Sequence, residues 1–135
     1  MRQLSPSART ATAYHEAGHL VVAWRLGVPV HRASIIRDAH AHGFVQHKNP
    51  LFGIRLDLDG SDRTRLRAEK AIMVSLAGPI AQRRYNSRSW RSAHGNQDYD
   101  TATELVLYAN GSAEAATAHL RWLEIRTADL LNACW

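Results

Sequence analysis

The chain has 135 residues, 45% of them apolar and 21% charged, a mixture that fits an ordinary globular protein and excludes a disordered or fibrous one. A chain of this length buries roughly 68% of the surface its unfolded form exposes, so one domain over residues 1–135 is expected to hold together without a second domain or a disulfide. The formal charge of +5 raises nucleic acid as a partner, but the arginines are scattered and not interleaved with aromatics, so none is expected.

Residues 1–6 carry no apolar leader core, and the longest near-apolar stretch, residues 71–81, falls far short of the ~18 residues that span a bilayer. Cys134 is the one cysteine, which excludes an internal disulfide framework and suits a reducing compartment. The expectation is a soluble, cytoplasmic protein with no membrane partner. No GxxxxGK(S/T) phosphate loop occurs, so ATP is not its own fuel.

The predicted architecture is mainly α (α+β): about four helices, with a small two- or three-stranded sheet after the first. The first helix is predicted over residues 7–26, stopped by Gly27 with Pro29 beyond it. Residues 30–36 are rich in β-branched side chains, and residues 43–47 are their hairpin partner across a polar loop at residues 38–42. After a loop marked by Pro50, Gly53 and Gly60, Ser61 or Asp62 caps a second helix running to about Arg84, kinked late by Pro79. Its core stripe is expected at Leu66, Met73, Ala77 and Ile80, with Leu76 and Ala81 at the edges. Residues 86–95 are polar, basic and expected to be mobile. Asn96 then caps a third helix ending near Asn110-Gly111, and Ser112 caps a fourth that packs through Ala116, Leu120, Leu123, Leu130 and Leu131.

Within the first predicted helix lies His15-Glu16-Ala17-Gly18-His19, an HExxH pattern. Residues four apart on a helix are surface neighbours, with Cβ atoms ~5–6 Å apart, so two imidazoles at this spacing can close on one Zn²⁺. Glu16 is turned about 100° from His15, poorly placed to be a third ligand but able to reach a metal-activated water as general base. The helical wheel gives an apolar stripe of Ala13, Ala17, Leu20, Val21 and Trp24 as the core face, with the histidines roughly opposite. Val22 and Leu26 lie near the histidines, so another element is expected to cover them and form a cleft.

A catalytic zinc takes three protein ligands and keeps a place for water, so a third must come from elsewhere. On the third helix Asp98 shares the inward line of Ala102, Leu105, Val106 and Ala109, while Asp100 and Glu104 project away. A carboxylate facing a core requires a partner, and a cation would supply one. Asp98 is the expected ligand, and His94 the alternative.

Read together, residues Ala13-Tyr14-His15-Glu16-Ala17-Gly18-His19-Leu20-Val21-Val22-Ala23 resemble the zinc peptidase domain of FtsH-type AAA proteases. The likeness continues at residues 28–37, at Gly43-Phe44-Val45, at Leu76-Ala77-Gly78, which is similar to the start of that family's LAGR-type helix, and at residues 95–103, which resemble its GAxNDLxxAT stretch. The resemblance implies that Asp98 is the third zinc ligand. Two departures stand out in the LAGR-type helix, where Pro79 replaces an arginine and Gln82 a glutamate. The family's ring-forming ATPase is absent, so hexamers and processive degradation do not follow from the resemblance, although a homo-oligomer or an ATPase serving in trans stays open.

The expected function is a zinc-dependent endopeptidase for unfolded or extended polypeptides, with His15, His19 and Asp98 holding Zn²⁺ and Glu16 as the base; the alternative is a catalytically silent zinc-binding interaction module. Phe44 and Val45 either dock substrate along an edge strand or pack inward. His40, His42 and His47 read as a solvated polar loop, His31 as a structural hydrogen-bonding residue, Tyr14 as a packed aromatic, and Arg83, Arg84 and Arg91 as a solvated basic face.

Overall fold

A helix stops where its backbone can turn left-handed, and Gly27 makes that turn at a φ of 69°. The Val28 amide donates back to the Ala23 carbonyl (2.8 Å) and the Gly27 amide to that of Trp24 (3.1 Å), a complete Schellman close to the first helix. In the computed structural model, which describes residues 6–36, 43–90 and 96–135, this helix is α1, Pro6–Arg25.

Beyond Pro29 the β-branched run forms β1, Val30–Ser34, paired antiparallel with β2, Phe44–His47. Ala33 faces Val45 and Ser34 faces Phe44; the register slips between Val30 and Arg32, so His31 is the extra residue of an irregularity. The sheet has two strands among the described residues.

The second helix, α2, is Asp62–Tyr85. Ser61 caps it by accepting the Thr64 amide, and Asp59 adds a second hold by accepting from the Ser61 amide (2.9 Å) and the Thr64 hydroxyl (2.7 Å). A single 3-10 turn follows at Ser87–Ser89, then α3, Asn96–Ala109, and α4, Ala113–Cys134, capped by Ser112 accepting the Ala115 amide.

The structure is thus four helices with a two-stranded antiparallel sheet after the first, and α2 runs at the centre, packed against α1, α3 and α4. The core draws Val22 and Ala23 from α1, Ile72, Val74 and Leu76 from α2, Ala102 and Val106 from α3, and Ala116, Leu123 and Leu131 from α4. Burying each of the larger of these stabilises the fold by roughly 1.5–3 kcal/mol.

The expected faces hold in part. On α2, Met73, Leu76, Ala77 and Ala81 are buried and Ile80 packs against the core, but Leu66 is 53% exposed, and from Ala71 to Gln82 the helix is buried on nearly all sides, because a helix surrounded by three others needs no single stripe. On α1 the expected stripe is mostly turned outward: Trp24 is 72% exposed, Leu20 and Ala17 are exposed with it, and Ala13 and Val21 are half-buried. Ala11, His15, Gly18 and Val22 form the packed face instead. The reason is steric. A β-carbon on Gly18 would collide with the Ala77 carbonyl and meet Ala81 Cβ at 2.7 Å, so α1 reaches α2 most closely along its glycine line, and the histidines lie on that line. The helix also continues unbroken through the buried Pro79 to Tyr85.

Candidate metal centre

Because α1 packs by its glycine line, His15 and His19 are carried onto α2 and not out to solvent. His15 is 9% exposed. The His19 Nδ1 lies 2.6 Å from the Val74 carbonyl oxygen, which can only accept, so that nitrogen is the donor. The His15 Nδ1 lies 3.0 Å from Gln82 Oε1, and the amide end of Gln82 donates to the Ser89 carbonyl at 3.2 Å. Both rings therefore hold their proton on Nδ1 and turn Nε2 inward.

The two Nε2 atoms are 3.2 Å apart. Asp98 arrives from the first turn of α3, with Oδ2 at 2.9 Å from His15 Nε2 and 3.3 Å from His19 Nε2. Among the described residues these three form the group whose donor atoms converge closely enough to hold an ion. The set fits zinc on two counts. Ligand atoms ~2.0–2.1 Å from one tetrahedral ion stand about 3.4 Å apart, near the observed triangle. With both rings neutral and protonated on Nδ1, three acceptors would also meet here, an arrangement that repels itself until a cation, or a proton on Nε2, intervenes.

The electrostatics express the same demand. Burial pushes the Asp98 carboxyl up, but the hydrogen bonds and charges of the two imidazoles outweigh it and hold the group at about 2. Burial pulls the His19 imidazole down, yet the hydrogen bond and charge of Asp98, with the Val74 carbonyl and Glu16, leave it above its ordinary 6.5. The carboxyl of Glu16, buried beside the pair, is pushed up from 4.5 by desolvation against the pull of His19 and His15.

The sheet closes one side of the site. A β-carbon on Gly43 would stand 2.9 Å from Glu16 Cγ, so the chain enters β2 against the stem of the Glu16 side chain. Phe44 and Val45 follow, half-buried, with the Arg32 guanidinium 5.3 Å over the Phe44 ring. Other expected features fall elsewhere. Tyr14 stacks on Tyr85 (4.1 Å) and on Trp135 (5.3 Å), a packed aromatic; His31 is exposed on β1; His47 pairs with the Lys48 carbonyl. Arg83 lies over Trp90 and Tyr99, and Arg84 over Trp135, so both exposed arginines cover aromatic rings. His94, His40, His42 and Arg91 lie outside the described residues.

Sequence reasoning missed what α2 contributes. Val74, Gly78 and Gln82 recur every fourth residue along one line under the two imidazoles, and a β-carbon on Gly78 would overlap the His19 ring. The signal was a glycine inside, and a glutamine directly after, the near-apolar run of residues 71–81.

No family model matches the chain. Three curated proteins, each named ATP-dependent zinc metalloprotease FtsH, from Rickettsia conorii, Rickettsia prowazekii and Rickettsia felis, are 29% identical to it over 105 residues, or 76% of this chain. The chain spans 15% of the length of each. The likeness to FtsH is distant. Among the described residues no helix is long and apolar enough to cross a membrane.

Proposed function

We propose that His15, His19 and Asp98 hold a zinc ion and that Glu16 acts as general base in the hydrolysis of peptide bonds in unfolded or extended polypeptides. One observation carries this reading: an HExxH pair on α1 meets a carboxylate 83 residues later in the chain at 2.9 Å. The name of the relatives, zinc metalloprotease, agrees with it.

When bound, zinc supplies a Lewis acid that acidifies water and polarises a carbonyl. The protein's own groups do the rest. His15 and His19, fixed in the Nδ1–H form, present lone pairs from a packed helix face, and Asp98 adds the negative charge that a divalent cation needs in a half-buried place. Glu16 takes a proton from water and returns it to the leaving amine; its raised pKa brings it nearer to working pH and makes it the better proton donor for the second step.

Substrate lies along β2. This strand has β1 on one side and no strand on the other among the described residues, and an extended chain added there hydrogen-bonds through its backbone, with Phe44 and Val45 offering side chains on opposite faces of the sheet beside it. Gly43, where the chain enters β2, lies against the Glu16 side chain and brings the start of this strand near the base. The 135 residues contain no phosphate loop, so unfolding force comes from elsewhere or is not needed. The lone Cys134 suits a reducing, cytoplasmic setting.

The test pairs elemental analysis with cleavage of a fluorogenic unfolded substrate such as labelled casein. About one zinc per chain is expected, lost in His15→Ala and Asp98→Ala, with cleavage abolished by chelator. Metal without cleavage would leave a zinc-binding interaction module, and unchanged metal in Asp98→Ala would remove the aspartate from the ligand set.

A further inference from the structure

Gln82 is 4% exposed, a neutral amide near the C-terminal end of α2, closing the stretch of that helix that is buried on nearly every side. Such a group is tolerated where each of its ends has a partner. Its Nε2 faces the Ser89 carbonyl at 3.2 Å, with the Ser89 hydroxyl at 3.5 Å. A carbonyl accepts and never donates, so the NH₂ end of the amide belongs there, and Oε1 is left facing His15 Nδ1 at 3.0 Å. An acceptor at that place requires the proton on Nδ1. The orientation of the inward-facing Nε2 lone pair of His15 is thus set, through one side chain, by a backbone carbonyl in the 3-10 turn.

The partner ring is held otherwise. His19 donates to the Val74 carbonyl, a backbone group no substitution can remove, so the two imidazoles of the pair differ in how far sequence can alter them. Ser89 is itself fixed: its hydroxyl donates to the Asn86 carbonyl at 2.6 Å and its amide to the same oxygen at 3.0 Å. The turn is built to present one oxygen to one amide.

We infer that Gln82 is the positioning residue of the metal centre, locking His15 in the Nδ1–H tautomer with the Ser89 carbonyl as its anchor. The inference rests on the proposed zinc site. It also accounts for the glutamine where the resembling family has glutamate. A carboxylate at residue 82 would set an oxygen against the Ser89 carbonyl oxygen, acceptor facing acceptor, whereas the amide satisfies both neighbours. The neutral amide further leaves Glu16 and Asp98 as the two acidic groups at the site, which matches the charge of one divalent cation without excess.

The experiment uses the full chain, first without metal. Long-range proton–nitrogen correlation spectra at alkaline pH report the tautomer of each histidine ring, and wild type is expected to show His15 as Nδ1–H. In Gln82→Leu, which keeps the volume and loses both partners, His15 is expected to give a mixture or the Nε2–H form. Zinc affinity, read by competition with a chromophoric chelator, is expected to fall about 10- to 100-fold. Gln82→Glu keeps an acceptor toward His15 and is expected to keep the Nδ1–H form, at a lower melting temperature because its other oxygen faces the Ser89 carbonyl.

A merely structural role would lower the melting temperature of Gln82→Leu and leave the tautomer alone, which would overturn the inference. So would Nε2–H at His15 in the wild type, a result that needs no variant to fold. Should wild type bind no zinc, the metal reading fails by itself, and the metal-free spectra still decide the role of Gln82.

Discussion

A β-carbon on Gly78 would overlap His19 Nε2 and stand 2.7 Å from His15 Nε2. The cradle for the two rings is therefore a missing methyl group on the facing helix. In an ordinary helix interior, replacing glycine by alanine stabilises by roughly 0.5–1 kcal/mol. Here the atoms struck are the tips of two side chains, which can swing aside at the expense of their convergence. Gly78→Ala is expected to keep its helical circular dichroism and lose zinc affinity by more than about 100-fold. Stoichiometric zinc in that variant would show that the glycine is not needed.

Glu16 contacts none of the ligand roles directly, so its loss should separate binding from turnover. Glu16→Gln is expected to retain zinc and to lose about 10²- to 10⁴-fold in kcat, the usual contribution of a positioned base. The metal-free protein carries a second signature. Burial raises the pKa of the Glu16 carboxyl above 4.5, so its carbon-13 NMR titration without zinc should lie above the range of a free glutamate, and zinc beside it should pull the value back down. A metal-free titration at or below 4.5 would show that burial does not govern this carboxyl.

Asp59 tests a stabilising contact far from the metal. The Thr64 hydroxyl and the Ser61 amide hold its carboxyl below the ordinary 3.8. A group whose folded pKa is depressed stabilises above its unfolded pKa, and the contribution is lost as pH falls through the folded value. The melting temperature of wild type should therefore exceed that of Asp59→Ala at pH 7, and the gap should narrow as pH drops below 3.8. A gap independent of pH would mean that the charge contributes nothing and the cap works through its neutral hydrogen bonds.

What was legible in the sequence is what local chemistry decides. Gly27, Ser61 and Ser112 end or begin helices through their own backbone freedom or hydroxyl groups, so those boundaries could be read within a residue or two. His15 and His19 sit four apart on a helix and had to be neighbours. Asp98 could be singled out across 83 residues because it shares a helical line with Ala102 and Val106, both buried. The packed face of α1 could not be read this way. Hydropathy favours the Trp24 line, but the crossing with α2 is decided by size, through Gly18 against Ala77 and Ala81, which are distant in sequence. The amide of Gln82 was hidden for a related reason: Ser89 is seven residues on, but His15 is 67 residues away, and no local pattern brings it to that amide.

That inversion of α1 sets up a comparison between two substitutions two residues apart on one helix. Val22 is fully buried beside the histidines, whereas Trp24, much the larger and more apolar side chain, is 72% exposed. If hydropathy governed the packing, truncating Trp24 would be the more damaging change, at about 3–5 kcal/mol for a core tryptophan. The observed packing reverses the order. Val22→Ala is expected to destabilise by about 1.5–3 kcal/mol, and Trp24→Ser by less than about 0.5 kcal/mol, each read from urea unfolding of the metal-free protein. Because Trp24 is exposed on the outward side of α1, zinc binding by the folded fraction should be unchanged in Trp24→Ser. A larger loss at Trp24 than at Val22 would mean that α1 packs by its apolar stripe, and the histidines would then face away from Gly78 and Gln82.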